Sequence, residues 1–205
     1  MYANVEYSLT PRPIYPADGR KIMGLYSQPS HLHVDVEGKL GNFPMFNFWG
    51  PTADERSSQW IADSSKYLSK QFSPSLLLVY LPHLDYNLQR LGPNHPNIVK
   101  DVEKIDAIAG ELIDDLQSRG SEILVVSEYG IEEATGHVHI NQVLREHGYL
   151  AVRETLDWEM LDAGASRAFA VSDHQIAHIY IKDPRDIPAV TKLLKNVEGI
   201  DLILD

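Results

Sequence analysis

From residue 43 onward, short apolar runs alternate with longer segments that carry one apolar stripe, and this alternation predicts the elements. Leu76-Leu-Leu-Val-Tyr-Leu81 is a continuous apolar run of strand length, stopped by Pro82. Ile123-Leu-Val-Val126 is a second such run. Between them Ile98, Val102, Ile105, Ala109, Leu112 and Leu116 recur at helical spacing, which predicts a helix over Asn97–Arg119 ending at Gly120. Buried runs on either side of a helix predict a parallel strand pair with a right-handed crossover. The spacing also predicts helices over Ser57–Lys70, His139–His147 and Pro184–Val197. Strands are expected at Phe43–Trp49, Leu150–Arg153, Ala168–Val171, Ile176–Ile181 and Ile200–Leu204. The fold class is therefore α/β: a mixed, mainly parallel sheet flanked by helices.

The first 42 residues have a different character. Thr10-Pro-Arg-Pro-Ile-Tyr-Pro16 suits neither a helix nor a central strand, because proline fixes φ and removes a donor. Ala17-Asp-Gly-Arg20 is turn chemistry. Residues 1–42 are read as an extended arm with loops, and 43–205 as one α/β domain.

Composition narrows the partners. Net charge is −11, from 18 basic and 29 acidic residues without runs of either sign. That argues against duplex nucleic acid or an anionic membrane surface, both of which need clustered Lys and Arg. An anionic substrate stays compatible if bound cations reverse the local field. No cysteine is present, which excludes disulfides and thiolate zinc sites. No apolar run approaches the ~20 residues of a membrane span, and no signal-peptide pattern opens the chain. A cytoplasmic location is the expectation, with a homo-oligomer possible.

The candidate chemistry sits where the two strongest strands end. Asp85 follows the first run and Glu128 the second, so two carboxylates can be aimed at one point above a sheet. Gln89, Tyr129, Asp173 and His174 are further candidates. His174 stands between two predicted strands, in Ser172-Asp-His-Gln175. His178 alternates with Ala177 and Ile179 as an ordinary strand-face residue. His137/His139 share an i, i+2 spacing but read as a helix-entry segment, and His31/His33 share it within the N-terminal arm, where no resemblance supports a site.

The order Asp85-x-x-x-Gln89-x-x-Gly92-Pro93, a long helix, then Val126-Ser-Glu-Tyr-Gly-Ile131 resembles the alkaline phosphatase superfamily. The similarity is to its type I phosphodiesterase/nucleotide pyrophosphatase and phosphonoacetate hydrolase branch, and it is carried mainly by residues 70–155. The resemblance implies a hydrolase of phosphate diesters, pyrophosphates or phosphonates. Such a hydrolase uses two divalent cations and a Thr or Ser nucleophile, on an in-line displacement. It makes Asp85, Glu128 and His174 candidate metal ligands. Gln89, Tyr129 and Asp173 become neighbours of the site.

This chain departs from the pattern in two places. Gln89 and Tyr129 stand where the resemblance implies imidazoles, which shifts the donors toward oxygen and toward Mg²⁺ or Mn²⁺ rather than Zn²⁺. The nucleophile is the missing part: Thr52, after Gly50-Pro51, is the one local imitation, and a helix cap is the plainer reading. The expectation is a middle segment of a longer enzyme, inactive by itself. The alternative is a metal-free binding or protein-interaction member of the same fold.

Overall fold

The structure is a computed structural model that describes residues 4–14 and 22–204. The chain divides into two units, residues 1–133 and 134–205. Early residues contribute to the first unit's core, where Leu9, Met23 and Leu25 pack. The turn expected at Ala17–Arg20 lies outside the described residues.

The first unit opens with a hairpin. Strand β1 (Ser8–Ile14) pairs antiparallel with β2 (Ile22–Gln28), Leu9 opposite Ser27 and Pro11 opposite Leu25. Prolines are accepted because a two-stranded ribbon is all edge. Helix α1 (Leu32–Leu40) follows, burying Leu32 and Val36. These residues pack with Phe43, Met45, Phe48 and Trp60 into one cluster, and Leu9, Met23 and Leu25 of the hairpin lie against it.

Phe43–Trp49, expected as a strand, is instead a 3-10 turn at Met45–Asn47. The physical reason is aromatic packing. Phe43 meets both Phe48 and Trp60 edge-on, at centroid distances of 5.5 and 5.0 Å, and a strand would send its neighbours to opposite faces.

Helix α2 (Glu55–Phe72) starts at Asp54, whose side chain accepts from the Arg56 main-chain N–H, and ends at Ser73 in the left-handed conformation. Helix α4 (Ile98–Gln117) runs in the same direction. Ion pairs show this at both ends: Lys104 to Glu55 at 3.1 Å and Lys66 to Glu111 at 3.8 Å. Ala62 of α2 meets Ile108, Leu112 and Leu116 of α4 in a second core, against which Leu77, Val79, Leu81 and Ile123 also pack.

The segments 76–81 and 123–126 thus each leave a helix and lie on one helical layer, as an α/β architecture requires. The parallel ladder expected between them is not formed. Among the described residues the sheets are three two-stranded antiparallel hairpins. Burial gives the reason. Leu77, Val79 and Leu81 pack on α4, whereas Leu76, Leu78 and Tyr80 alternate with them and stay exposed, as do Leu124, Val125 and Val126. Among the described residues of the first unit, one side of these segments is packed and the other is left exposed.

Between these segments the chain forms α3 (His83–Leu91), which the sequence reading did not predict, closed by Gly92 at φ +82°. The Gly-Pro step that follows separates α3 from α4.

The second unit is small. Helix α5 (Ile140–Glu146) precedes two antiparallel hairpins. Strands β3 (Val152–Thr155) and β4 (Trp158–Leu161) form the first, and β5 (Ala168–Asp173) and β6 (Ile176–Ile181) the second. Helix α6 (Ile187–Leu194) closes the unit by packing Val190 and Leu194 with Leu144, Ala168 and Ala170. Residues 200–204, expected as a strand, carry no ladder. Gly199 has φ +89°, and a Cβ there would meet Val138 at 2.7 Å, so this close approach requires glycine.

Candidate functional site

Asp85 sits in the first turn of α3, where its charge is favoured by the helix N-terminus. Glu128 and Tyr129 lie just beyond the extended segment 123–126. The two loops are joined directly: Tyr129 Oη donates to Asp85 Oδ1 at 2.6 Å. Ser127 Oγ donates to the Tyr129 carbonyl at 2.7 Å and shapes the turn that delivers the ring. Asp85, Glu128 and Tyr129 all line one open cleft, together with Tyr80, Leu88 and Ile131. Asp85 and Glu128 thus share the lining of one cleft, without the paired parallel strands expected beneath them.

The electrostatics follow from two acids near several phenols. The hydrogen bond to Asp85, then burial and the charges of Asp85 and Glu128, hold the Tyr129 hydroxyl far above the ordinary phenol range. Burial, then Asp85 and Glu128, raises Tyr80. Burial, then Asp85, raises Tyr86. All three phenols stay protonated near neutrality, so each is a hydrogen-bond donor rather than an anion.

Sequence reasoning missed Tyr80 and Tyr86. Their signal was present in Tyr80-x-x-x-x-Asp85-Tyr86, but spacing alone does not say that α3 turns the segment back on itself. Gln89 lies one helical turn beyond Asp85, exposed on the same helix.

A second set of bonds fixes the far side of α3. Arg90 donates to the carbonyls of Gly50, Pro51 and Ala53 at 3.0–3.2 Å and to Asn87 Oδ1. Asn87 Nδ2 donates to Asp101 Oδ2 at 2.6 Å, which reaches α4. Helix α3, and with it Asp85, is thus anchored to the turn before α2 and to α4. Thr52 is in that turn, and its hydroxyl donates to the Phe46 carbonyl. That is a structural bond, and no base is paired with the hydroxyl in it.

The remaining candidates are in the second unit. His174 occupies the β5–β6 turn with φ +54°, and its Nε2 is 3.6 Å from Asp173 Oδ1. Both side chains are exposed, and their mutual contact is that of a hairpin turn. His178 lies on the exposed face of β6, as expected. The His137 and His139 rings stand 4.6 Å apart. Among the described residues no group of three or more His, Cys, Asp or Glu is placed to hold a metal ion. No helix among them is long and apolar enough to cross a membrane.

The family model of type I phosphodiesterase / nucleotide pyrophosphatase matches residues 1–204. One curated relative, an uncharacterized pyrophosphatase/phosphodiesterase of Schizosaccharomyces pombe, is 34% identical over 62 residues. That match covers 28% of this chain and spans 13% of the relative's length. No solved structure matches. The chain belongs to the type I phosphodiesterase/nucleotide pyrophosphatase family, a hydrolase family of alkaline phosphatase-like α/β fold.

Proposed function

We propose that this family member contributes the carboxylate part of a site that hydrolyses phosphate diesters, pyrophosphates or phosphonates. In this reading Asp85 and Glu128 are oxygen donors to a hard divalent cation. The observation that supports it is the Tyr129–Asp85 hydrogen bond, which joins two loops 44 positions apart in sequence at a cleft that Glu128 also lines.

The donor chemistry sets the limit. Of the four carboxylates that line the cleft, Asp85 and Glu128 lie with the Tyr80 and Tyr129 hydroxyls in the loops named above, the Gln89 amide is one helical turn from Asp85, and no imidazole is among the lining residues. That fits one oxygen-ligated cation with water completing its shell, as Mg²⁺ accepts. It does not fit a pair of zinc ions with mixed nitrogen and oxygen ligands. A bound cation would supply neutralisation of a phosphoryl oxygen. The chain's own residues would position it: α3 holds Asp85, and Tyr129 fixes the carboxylate's orientation. Phenols kept protonated can donate to phosphate oxygens without adding negative charge.

Among the described residues no side chain is set up as nucleophile, and the chain by itself is proposed to be inactive. The assay is turnover of p-nitrophenyl phosphodiester and of dinucleotide pyrophosphate with Mn²⁺, Mg²⁺ or Zn²⁺, comparing wild type with Asp85→Asn. No turnover, alongside Mn²⁺ binding that Asp85→Asn removes, is the expected result. Turnover that survives Asp85→Asn would overturn the assignment of Asp85.

The second reading is a metal-free binding member of the family. The Asp85 oxygen already bonded by Tyr129 favours it. Elemental analysis of the purified protein separates the two.

A further inference from the structure

The β3–β4 hairpin of the second unit exposes Leu156, Trp158 and Met160. Its register pairs Arg153 with Met160 and Thr155 with Trp158, so these four side chains share one face. All four are exposed, Trp158 at 74%. The opposite face carries the Glu154–Glu159 pair, and Arg145 of α5 holds Glu159 through two bonds at 2.6 Å. The stem is fastened as well. The Asp162 N–H donates to the Ala151 carbonyl, and the Ala151 N–H to Ser166 Oγ, each at 3.0 Å. One face is thus tied back to α5, and the Trp158 face is left to solvent.

The two residues between the strands, Leu156 and Asp157, both have positive φ, +52° and +63°. That is the tight hairpin turn that Asn-Gly ordinarily makes. Asp157 suits it, since aspartate tolerates the left-handed region. Leucine does not, because a bulky residue there meets steric resistance. At 89% exposed, Leu156 recovers little of that cost by packing. A strained residue whose side chain the fold leaves in water points to a use outside the fold.

We propose that this hairpin tip is a docking knob for another protein, which takes Leu156, Trp158 and Met160 into an apolar pocket rimmed by Lys or Arg. Size sets the kind of partner. These three side chains are far fewer than the ~20–30 residues a side of a stable interface, so two knobs face to face do not make a dimer. A few anchors sunk in a pocket can carry most of a binding energy, and tryptophan is prominent among them. Charge sets the rim. Residues 152–162 hold Arg153 against four carboxylates, of which Glu159 is engaged by Arg145. Glu154 and Asp157 stay exposed near the tip. They favour a cationic rim and oppose an anionic membrane surface.

The test follows Trp158 fluorescence in the full chain, with Trp158→Phe as the subtraction for Trp49 and Trp60. The probe is an amphipathic peptide of leucine and lysine, whose apolar stripe is edged by ammonium groups. Its counterpart of leucine and glutamate is a second arm, and vesicles of phosphatidylcholine with or without phosphatidylserine are a third. The Leu/Lys peptide should shift Trp158 emission to the blue and saturate. Met160→Ser and Leu156→Asn should each weaken that binding about fivefold or more, the loss expected of an anchor. Leu156→Asn should at the same time raise Tm, because asparagine accepts the turn that leucine strains. A side chain needed by the fold would lower it. The proposal is overturned by no saturable shift, by binding that both variants leave unchanged, or by a lowered Tm in Leu156→Asn. An equal shift from the Leu/Glu peptide or from vesicles also overturns it. So does sedimentation as a dimer that Trp158→Ser dissolves, which would make the occupant a second copy. A blue shift confined to the Leu/Lys peptide and weakened in both variants supports it.

Discussion

The Tyr129 hydroxyl donates to Asp85 Oδ1 at 2.6 Å, joining the loop after segment 123–126 to the first turn of α3. The bond needs a protonated phenol, which gives it a pH dependence of known sign. The folded phenol titrates above its unfolded value near 10. Its contribution is therefore fully present below pH ~10 and lost as pH rises from there toward the folded value. Tyr129 is 46% exposed, so solvent screens the pair and the contribution should be about 1 kcal/mol or less. Urea unfolding of wild type and Tyr129→Phe should differ by that amount at pH 8 and converge in strong alkali. Curves that stay parallel past pH 11 would show that the bond adds nothing.

Cation preference follows from the donors at the cleft. Calorimetry should show Mn²⁺ or Mg²⁺ bound more tightly than Zn²⁺, since carboxylate and carbonyl oxygens suit hard ions. Asp85→Asn should weaken that binding at least tenfold. Preferential Zn²⁺ binding, insensitive to Asp85, would place the site elsewhere.

Arg90 fastens α3 to three carbonyls of the turn at residues 50–53. Arg90→Ala should cost about 1–3 kcal/mol, since it leaves acceptors without their charged donor. Arg90→Lys should recover only part, because an ammonium cannot reproduce the planar fork. Hydrogen exchange should quicken at Ala53 and Asp54 in both variants. Unchanged exchange there would mean the turn holds its shape alone.

Asp54 caps α2. Burial pushes its carboxyl up, but bonds from the Arg56 side chain and main chain outweigh that and leave it below the usual carboxylate range. A lowered folded value means stability present above pH ~4 and lost on further acidification. Asp54→Ala should cost about 1 kcal/mol at pH 7. The gap between the two proteins should shrink below pH 4, read from urea midpoints. A constant gap would show that packing, not the charge, is what the variant removes.

The uncovered side of the α/β layer carries Leu78 at 85% and Val125 at 75% exposure. An apolar patch of this kind binds hydrophobic dyes and promotes association. The double variant Leu78→Lys, Val125→Lys should cut dye fluorescence severalfold and leave Tm within a few degrees, because neither side chain is in a core. Equal fluorescence in the variant would mean the dye binds elsewhere.

Periodicity identified α2, α4, α5 and the β5–β6 hairpin to within a few residues, since each owes its form to one apolar stripe or to local alternation. The Asp85 and Glu128 positions were legible for the same reason: each follows an apolar run, and the helix between the runs has a single buried face. Other features needed tertiary contacts. The 3-10 turn at Met45–Asn47 exists because Phe43, Phe48 and Trp60 must meet, and no window of sequence contains that demand. Helix α3 carries Leu84, Leu88 and Leu91 at helical spacing, but it is only nine residues long and much of its anchoring comes from Arg90 and Asn87 reaching other elements. Apolar runs at 76–81 and 123–126 foretold extended backbone, but a ladder depends on which strand lies alongside. The joining of Tyr129 to Asp85 is of the same kind. Sequence sets which groups can donate and accept, and only the packing of α3 against α4 brings a hydroxyl and a carboxylate 44 positions apart to 2.6 Å.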